Sequence, residues 1–300
     1  IEKIRQKLNE QKNRFGLVWG KITLNDYDDA GENISAHINP KDWNITINVR
    51  KGLNPINDKR QKAYARKKKI DSGLETMLMH VGGLHEIAHW ELPFGSGYGC
   101  PFDTYNHDLI LESVTESLPT DKKPHASYVA NAFEDIIINP RCKEFNRDFS
   151  GQILFWDWQG IGLKDKGKEH YTPFYEAFVK LNMHLFGDNS DRALLKRHYS
   201  NDKKIDNAVQ KTIGDLGLRE SIQDTSYLFN KGKWQKMAGV FARNLAGLLE
   251  EAPMERLSAF SPEGTAEPAK NSGQGKEQGS KPGNGIEEKT KTREGKEEIA

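Results

Sequence analysis

His85-Glu86-Ile87-Ala88-His89 sets two imidazoles four residues apart, with a carboxylate beside the first. On a helix that spacing puts both rings on one face, a turn apart, where they can bind a single Zn²⁺ through ring nitrogens. Glu86 can then reach the metal-bound water and act as general base, while the ion polarises a scissile carbonyl. A catalytic zinc site also needs a third protein ligand and a position left open to water.

Two acidic pairs downstream are candidates for that ligand. Glu112 lies 23 positions after His89 and is followed by Glu116, an attractive order for a ligand and a supporting carboxylate. Its helical neighbours, however, are Asp108, Thr115 and Glu116, the pattern of a solvated face, while Ile110, Leu111, Val114 and Leu118 form the apolar one. Glu134 has Ala130, Asn131, Ile137 and Ile138 at its helical neighbour positions and runs beside Ala126, Val129, Phe133 and Ile136. A carboxylate against an apolar stripe is costly to desolvate unless a partner answers it, and a metal ion is one such partner. Glu134 is therefore the expected third ligand, with Glu112 and Asp135 as alternatives. His170 and Tyr171 are either donors to a developing oxyanion or ordinary loop residues.

The element that must carry the histidine pair is a helix over Ser72 to Leu92. Ser72 and Glu75 have capping-box spacing. Leu74, Met77, Leu78, Val81, Leu84 and Ala88 recur at three- and four-residue intervals, and Leu92-Pro93 with Gly95, Gly97 and Gly99 ends the pattern. Both histidines then point from the buried side. Gly82 and Gly83 are costly there, at about 1 kcal/mol each relative to alanine, which suggests close approach of another backbone.

Upstream, residues 1 to 14 read as an amphipathic helix, and the period changes to two from Phe15. Leu17 to Leu24, Ile34 to Ile38 and Trp43 to Val49 read as short strands, with Ile45, Ile47 and Val49 facing a core. Arg50 to Lys69 holds nine basic residues and one acid, Asp58. With Tyr64 its only aromatic, it reads as a solvated face rather than a nucleic-acid site. Downstream, helices are expected over 104 to 118, 125 to 139 (ended by Pro140), 172 to 187, 191 to 199, 205 to 213 and 220 to 229, with a last one from Trp234 to Leu249. Residues 151 to 171 read as irregular, with Trp156-Asp157-Trp158 a packing anchor.

These elements make an α+β protein: a small, mostly antiparallel sheet, the HExxH helix, then a mainly helical C-terminal part. The expected organisation is a catalytic part over 1 to 150, a helical part over 151 to 260 and a disordered tail over 261 to 300. That tail has seven glycines, three prolines and no aromatic residue, too little apolar surface to offset chain entropy. A net charge of +1 with 29% charged residues gives no global field for nucleic acid, and no apolar run approaches a membrane span. Two cysteines, Cys100 and Cys142, make neither a disulfide framework nor a four-cysteine zinc site, so a reducing, cytoplasmic setting is expected.

VGGLHEIAHW resembles the active helix of the zincin metallopeptidases, and HExxH with a downstream glutamate is similar to the gluzincin arrangement. Asn131 to Asn139, NAFEDIIIN, also resembles the N-x-x-E-D-x-x-x-[NE] helix of metallopeptidase-like domains that precede von Willebrand factor A-type domains and travel with AAA ATPases. The resemblance spans roughly residues 30 to 150. It implies a zincin core, His85 and His89 as zinc ligands, Glu86 as base, Glu134 or Asp135 as third ligand, and a peptide or protein substrate. The chain departs from the best-known gluzincins in having Glu112/Glu116 where Glu-x-x-x-Asp stands. Two functions are expected on this basis: a zinc endopeptidase with an edge strand, Trp43 to Val49, pairing with substrate, or a non-catalytic metal-stabilised module partnering a von Willebrand-type domain or an ATPase.

Overall fold

Alternating buried and half-buried residues along Ile34–Ile38 (β2) and Ile45–Arg50 (β3) form the middle and one edge of a three-stranded sheet, with Ile22–Tyr27 (β1) on the other side. The computed structural model describes residues 2–14, 20–27, 34–39, 42–50, 58–70, 74–79, 85–89, 104–145, 149–165, 167–218 and 231–250. β2 and β3 are antiparallel, and just past the paired residues Asn39 N–H donates to Asn44 O at 2.9 Å. β1 runs parallel to β3, with Ile22 opposite Ile45 and Leu24 opposite Ile47. The sheet is thus mixed rather than mostly antiparallel. Period-two alternation reports which face a residue takes, not the direction of the neighbouring strand. Gly20 leads into β1 at a φ of 84°, and a Cβ there would stand 2.3 Å from Trp43 O, so only glycine fits that approach.

One sheet face is apolar, with Ile34, Ala36, Ile38, Ile45, Ile47 and Val49 all buried. The other carries a polar row in which Asn25 Nδ2 donates to Asn48 Oδ1 at 2.9 Å and Asn48 Nδ2 to Ser35 Oγ at 3.1 Å. β3 is the central strand, bonded on both sides, so it cannot be the substrate-pairing edge expected of Trp43 to Val49. β2 is an edge strand, and it touches the HExxH segment.

Helices dominate the rest. They are α1 (Glu2–Arg14), α2 (Lys59–Lys68), α3 (Leu74–Leu78), α4 (Glu86–Ala88), α5 (Thr104–Ser117), α6 (Ala126–Phe145), α7 (Ser150–Asp165), α8 (Pro173–Phe186), α9 (Asn189–Leu195), α10 (Lys203–Leu216) and α11 (Lys231–Leu245). The expected helix over Ser72 to Leu92 is described at α3 and α4, with π-type turns at Met79 and His85; Ser72, His80, Gly82, Gly83 and the 90–100 stretch with Cys100 lie outside the described residues. So do residues 15–19, the expected helix over 220–229 and the expected tail.

Among the described residues α6 is the longest helix, and it continues through Pro140 instead of stopping there. The ring removes one backbone donor, but buried residues on both sides of it, Ile136 to Asn139 and Cys142, hold the helix together. α7 replaces the irregular stretch expected over 151 to 171. Ser150 to Asp157 are buried at every position, so the segment has no exposed face and hence no periodic stripe to read. Trp156 is fully buried in the core, in keeping with a packing anchor. No helix among the described residues is long and apolar enough to cross a membrane.

By contacts the chain divides into Ile1–Gly264 and Thr265–Ala300. The expected 1–150 and 151–260 parts therefore share one unit, and residues 265–300 lie outside the described residues.

Candidate metal centre

α4 is held between β2 and α6, which fixes where its side chains converge. His85, Glu86 and His89 are all buried, at 5%, 4% and 2% exposure, so the histidine pair does point inward as its apolar stripe requires. The two rings meet edge to face with centroids 5.3 Å apart. Across from them α6 presents Asp135, which is wholly buried. Asp135 Oδ1 lies 3.2 Å from His85 Nε2 and 3.7 Å from His89 Nε2. One donor atom from each of these three residues lies within 4.8 Å of the others, so the group could hold a metal ion.

Neither oxygen of Asp135 accepts a well-aligned hydrogen bond, although it is sealed from water. A buried carboxylate costs several kcal/mol unless it is answered by charge or hydrogen bonds. The ion-pair contact to His85 answers part of that cost and a cation would answer the rest.

Glu134, the expected third ligand, faces another way. Its Oε1 lies 2.7 Å from His107 Nδ1, and its Oε2 lies 4.0 Å from His89 Nδ1, the ring nitrogen turned away from Asp135. It thus stands behind His89, next to the ligand group and not within it. His107, one turn into α5, escaped the sequence reading because a lone histidine on a mixed face carries no spacing signal. Asn139 was missed as a contact for similar reasons: its Oδ1 lies 3.1 Å from His85 Nδ1.

Electrostatics follow from this crowding. Burial alone would lower the His85 imidazole, but the Asp135 carboxylate outweighs it and holds the ring up at about 9. Asp135 itself is raised by burial, with His85 pulling the other way. Burial likewise pushes the Glu86 carboxyl up to about 7; His85 lowers it, Asp135 raises it, and a hydrogen bond from the Ile38 amide of β2 lowers it. His107 would be lowered by burial, but Glu134 raises it above the ordinary range.

The remaining candidates sit elsewhere. Glu112 and Glu116 are exposed on α5, as a solvated face would be. His170 is on the surface, 3.9 Å from Glu169. Tyr171 is buried and donates its hydroxyl to Trp156 O at 2.8 Å, so that proton is already committed. Tyr128 was not foreseen: it lies seven residues before Asp135 on α6, so on the same helix face, and the Asp135 charge helps raise its phenol above the usual range after burial. No family model matches the chain, and no curated protein or solved structure matches it either.

Proposed function

We propose that this chain is a zinc-dependent endopeptidase whose ion is held by His85, His89 and Asp135. The observation that carries the reading is the convergence of these three buried donors beside Glu86. Ligands at the corners of a tetrahedron about 2.0 to 2.1 Å from zinc stand about 3.4 Å apart. The 3.2 and 3.7 Å separations between Asp135 Oδ1 and the two Nε2 atoms lie on either side of that spacing. Two imidazoles and one carboxylate also match zinc's preference for nitrogen and oxygen donors with one position left for water or substrate. This assigns the third ligand to Asp135 rather than to Glu134 or Glu112.

When bound, the ion supplies Lewis acidity to a water molecule and to the substrate carbonyl. The remaining steps belong to the chain. Glu86 accepts the proton that water loses and returns it to the leaving amine nitrogen, and the Ile38 amide steadies the carboxylate as it does so. Substrate positioning falls to β2. Asn39 bonds Asn44, so Ile34, Ala36 and Ile38 turn their backbone groups away from β3; the Ile38 N–H is committed to Glu86, which leaves the Ala36 backbone and the Ile38 carbonyl to pair with substrate. An extended peptide laid along that edge would continue the sheet across the histidine pair.

The test is zinc stoichiometry together with cleavage of an unfolded protein. Wild type should carry about one zinc and cleave; Glu86→Gln should keep its zinc and lose about 10² to 10⁴-fold in rate. If native protein carries no zinc, the reading is wrong. If Glu86→Gln cleaves as wild type does, Glu86 is not the base. Should wild type bind zinc but cleave nothing, while chelation melts the fold, the metal-stabilised module takes its place.

A further inference from the structure

His85 bonds to more than its own neighbourhood. Behind it runs a chain of buried amides that reaches into α8, from the part of the sequence where no metal chemistry was expected. Asn182 Nδ2 donates to Phe178 O at 2.9 Å, within α8. Asn139 Nδ2 donates to Asn182 Oδ1 at 2.9 Å, and Asn139 Oδ1 stands 3.1 Å from His85 Nδ1. Both asparagines are wholly buried.

The direction of this chain is set at its far end. Phe178 O is a backbone carbonyl and can only accept, so Asn182 must turn its NH₂ group to it. The Asn182 oxygen then faces α6, and Asn139 must meet it with its own NH₂ group. That leaves the Asn139 oxygen facing His85, where an acceptor can pair only with a protonated ring nitrogen. Nδ1 of His85 therefore carries a proton. A neutral imidazole protonated at Nδ1 has its lone pair on Nε2, the atom 3.2 Å from Asp135.

We propose that Asn139 and Asn182 are positioning residues that lock His85 in its Nδ1–H form and aim the Nε2 lone pair at the metal. The role rests on the metal-binding reading above, since without an ion there is nothing for Nε2 to bind. Groups that orient a ligating histidine in this way typically change metal affinity about 10 to 100-fold when removed.

Two measurements test it: ¹⁵N–¹H correlation spectra of the His85 ring with and without Zn²⁺, and zinc affinity by competition with a chromophoric chelator. In wild type the Nδ1 proton should be present in both states, with coordination through Nε2. Asn139→Leu should weaken zinc binding about 10 to 100-fold, and Asn182→Leu should lose part of that. Asn139→Asp should restore binding to within a few-fold. One of its oxygens still accepts from Nδ1, and the other, protonated, still donates to Asn182. Zinc bound through Nδ1 in wild type overturns the proposal, as does wild-type affinity in Asn139→Leu. The wild-type spectrum needs no substituted protein, so poor folding of the leucine variants leaves the test intact. Absence of zinc binding sinks the metal reading and this role with it, whereas zinc binding with a coordinated Nδ1 removes the asparagines' role alone.

Discussion

Glu134 and Asp135 are neighbours in sequence with opposite surroundings. Adjacent residues on a helix point about 100° apart, so only one of them can face the histidine pair squarely. Asp135 does so, with Oδ1 near both Nε2 atoms, while Glu134 is engaged by His107 and backs His89. The two acids should respond differently to removal of charge. Asp135→Asn should lower zinc affinity by well over 100-fold, since a ligand is lost, and Glu134→Gln by about 10 to 100-fold, since only the support of a ligand is weakened. Glu112→Ala should leave affinity unchanged, because Glu112 is exposed on α5. Chelator competition on the three proteins checks all of this. Equal losses in Asp135→Asn and Glu134→Gln would mean that both carboxylates ligate.

At the scale of elements, α7 is informative because two of its glycines, Gly160 and Gly162, sit in opposite settings. A Cβ at Gly160 would stand 2.5 Å from the ring of His198. That ring cannot yield easily: Nε2 is bonded to Asp157 at 2.9 Å, and Tyr171 packs on it at 5.1 Å. A Cβ at Gly162 would meet nothing within 4 Å. Gly160→Ala should therefore destabilise by about 1 to 3 kcal/mol through overpacking, and Gly162→Ala should stabilise by up to about 1 kcal/mol through helix propensity. Urea unfolding of both variants reads the difference in sign. Stabilisation by both would show that α7 and the 3₁₀ turn carrying His198 are not packed this tightly.

Across the whole unit, residues far apart in sequence are tied by ion pairs at the basic helix. Lys68 of α2 reaches Asp188 at 2.6 Å and Asp191 at 2.8 Å, and Tyr64 donates to Asp191 at 2.7 Å. Arg197 in turn holds Asp58 at 3.0 Å and Asp157 at 2.8 Å. The basic run is thus partly structural, fastening α2 to α9. Burial would raise Asp188, but Lys68, Ser190 and the Asp191 amide outweigh it and hold the carboxyl well below the usual range. A carboxyl held low adds stability above its unfolded value of about 3.9 and loses it as pH falls toward the folded value. Asp188→Asn keeps an N-cap acceptor while removing the charge. Its melting temperature should fall by about 1 to 3 °C at pH 7, given a half-exposed pair that contributes under about 1 kcal/mol. Between about pH 5 and 3 its melting temperature should then decline less steeply than that of wild type. Parallel declines in the two proteins would mean that the pair adds nothing.

The sequence alone determined what local chemistry can encode. Two histidines four apart with Glu86 between them, on a segment whose apolar residues recur at helical spacing, placed the pair on a buried face, and His85, Glu86 and His89 are buried there. Period two identified β2 and the core face of β3, and the Thr172-Pro173 start with the Gly187 stop marked α8 at both ends. Only the tertiary structure decided which acid meets the histidines, because that depends on how α6 is rotated against α4, and rotation is set by packing on every side of the helix. Strand direction in the sheet and the existence of α7 were hidden for related reasons: alternation is silent on direction, and a segment buried all round has no stripe. Asn182 shows the limit most plainly. It is linked to His85 from 97 positions away, through one intervening amide, and no spacing rule connects residues that only a folded core brings together.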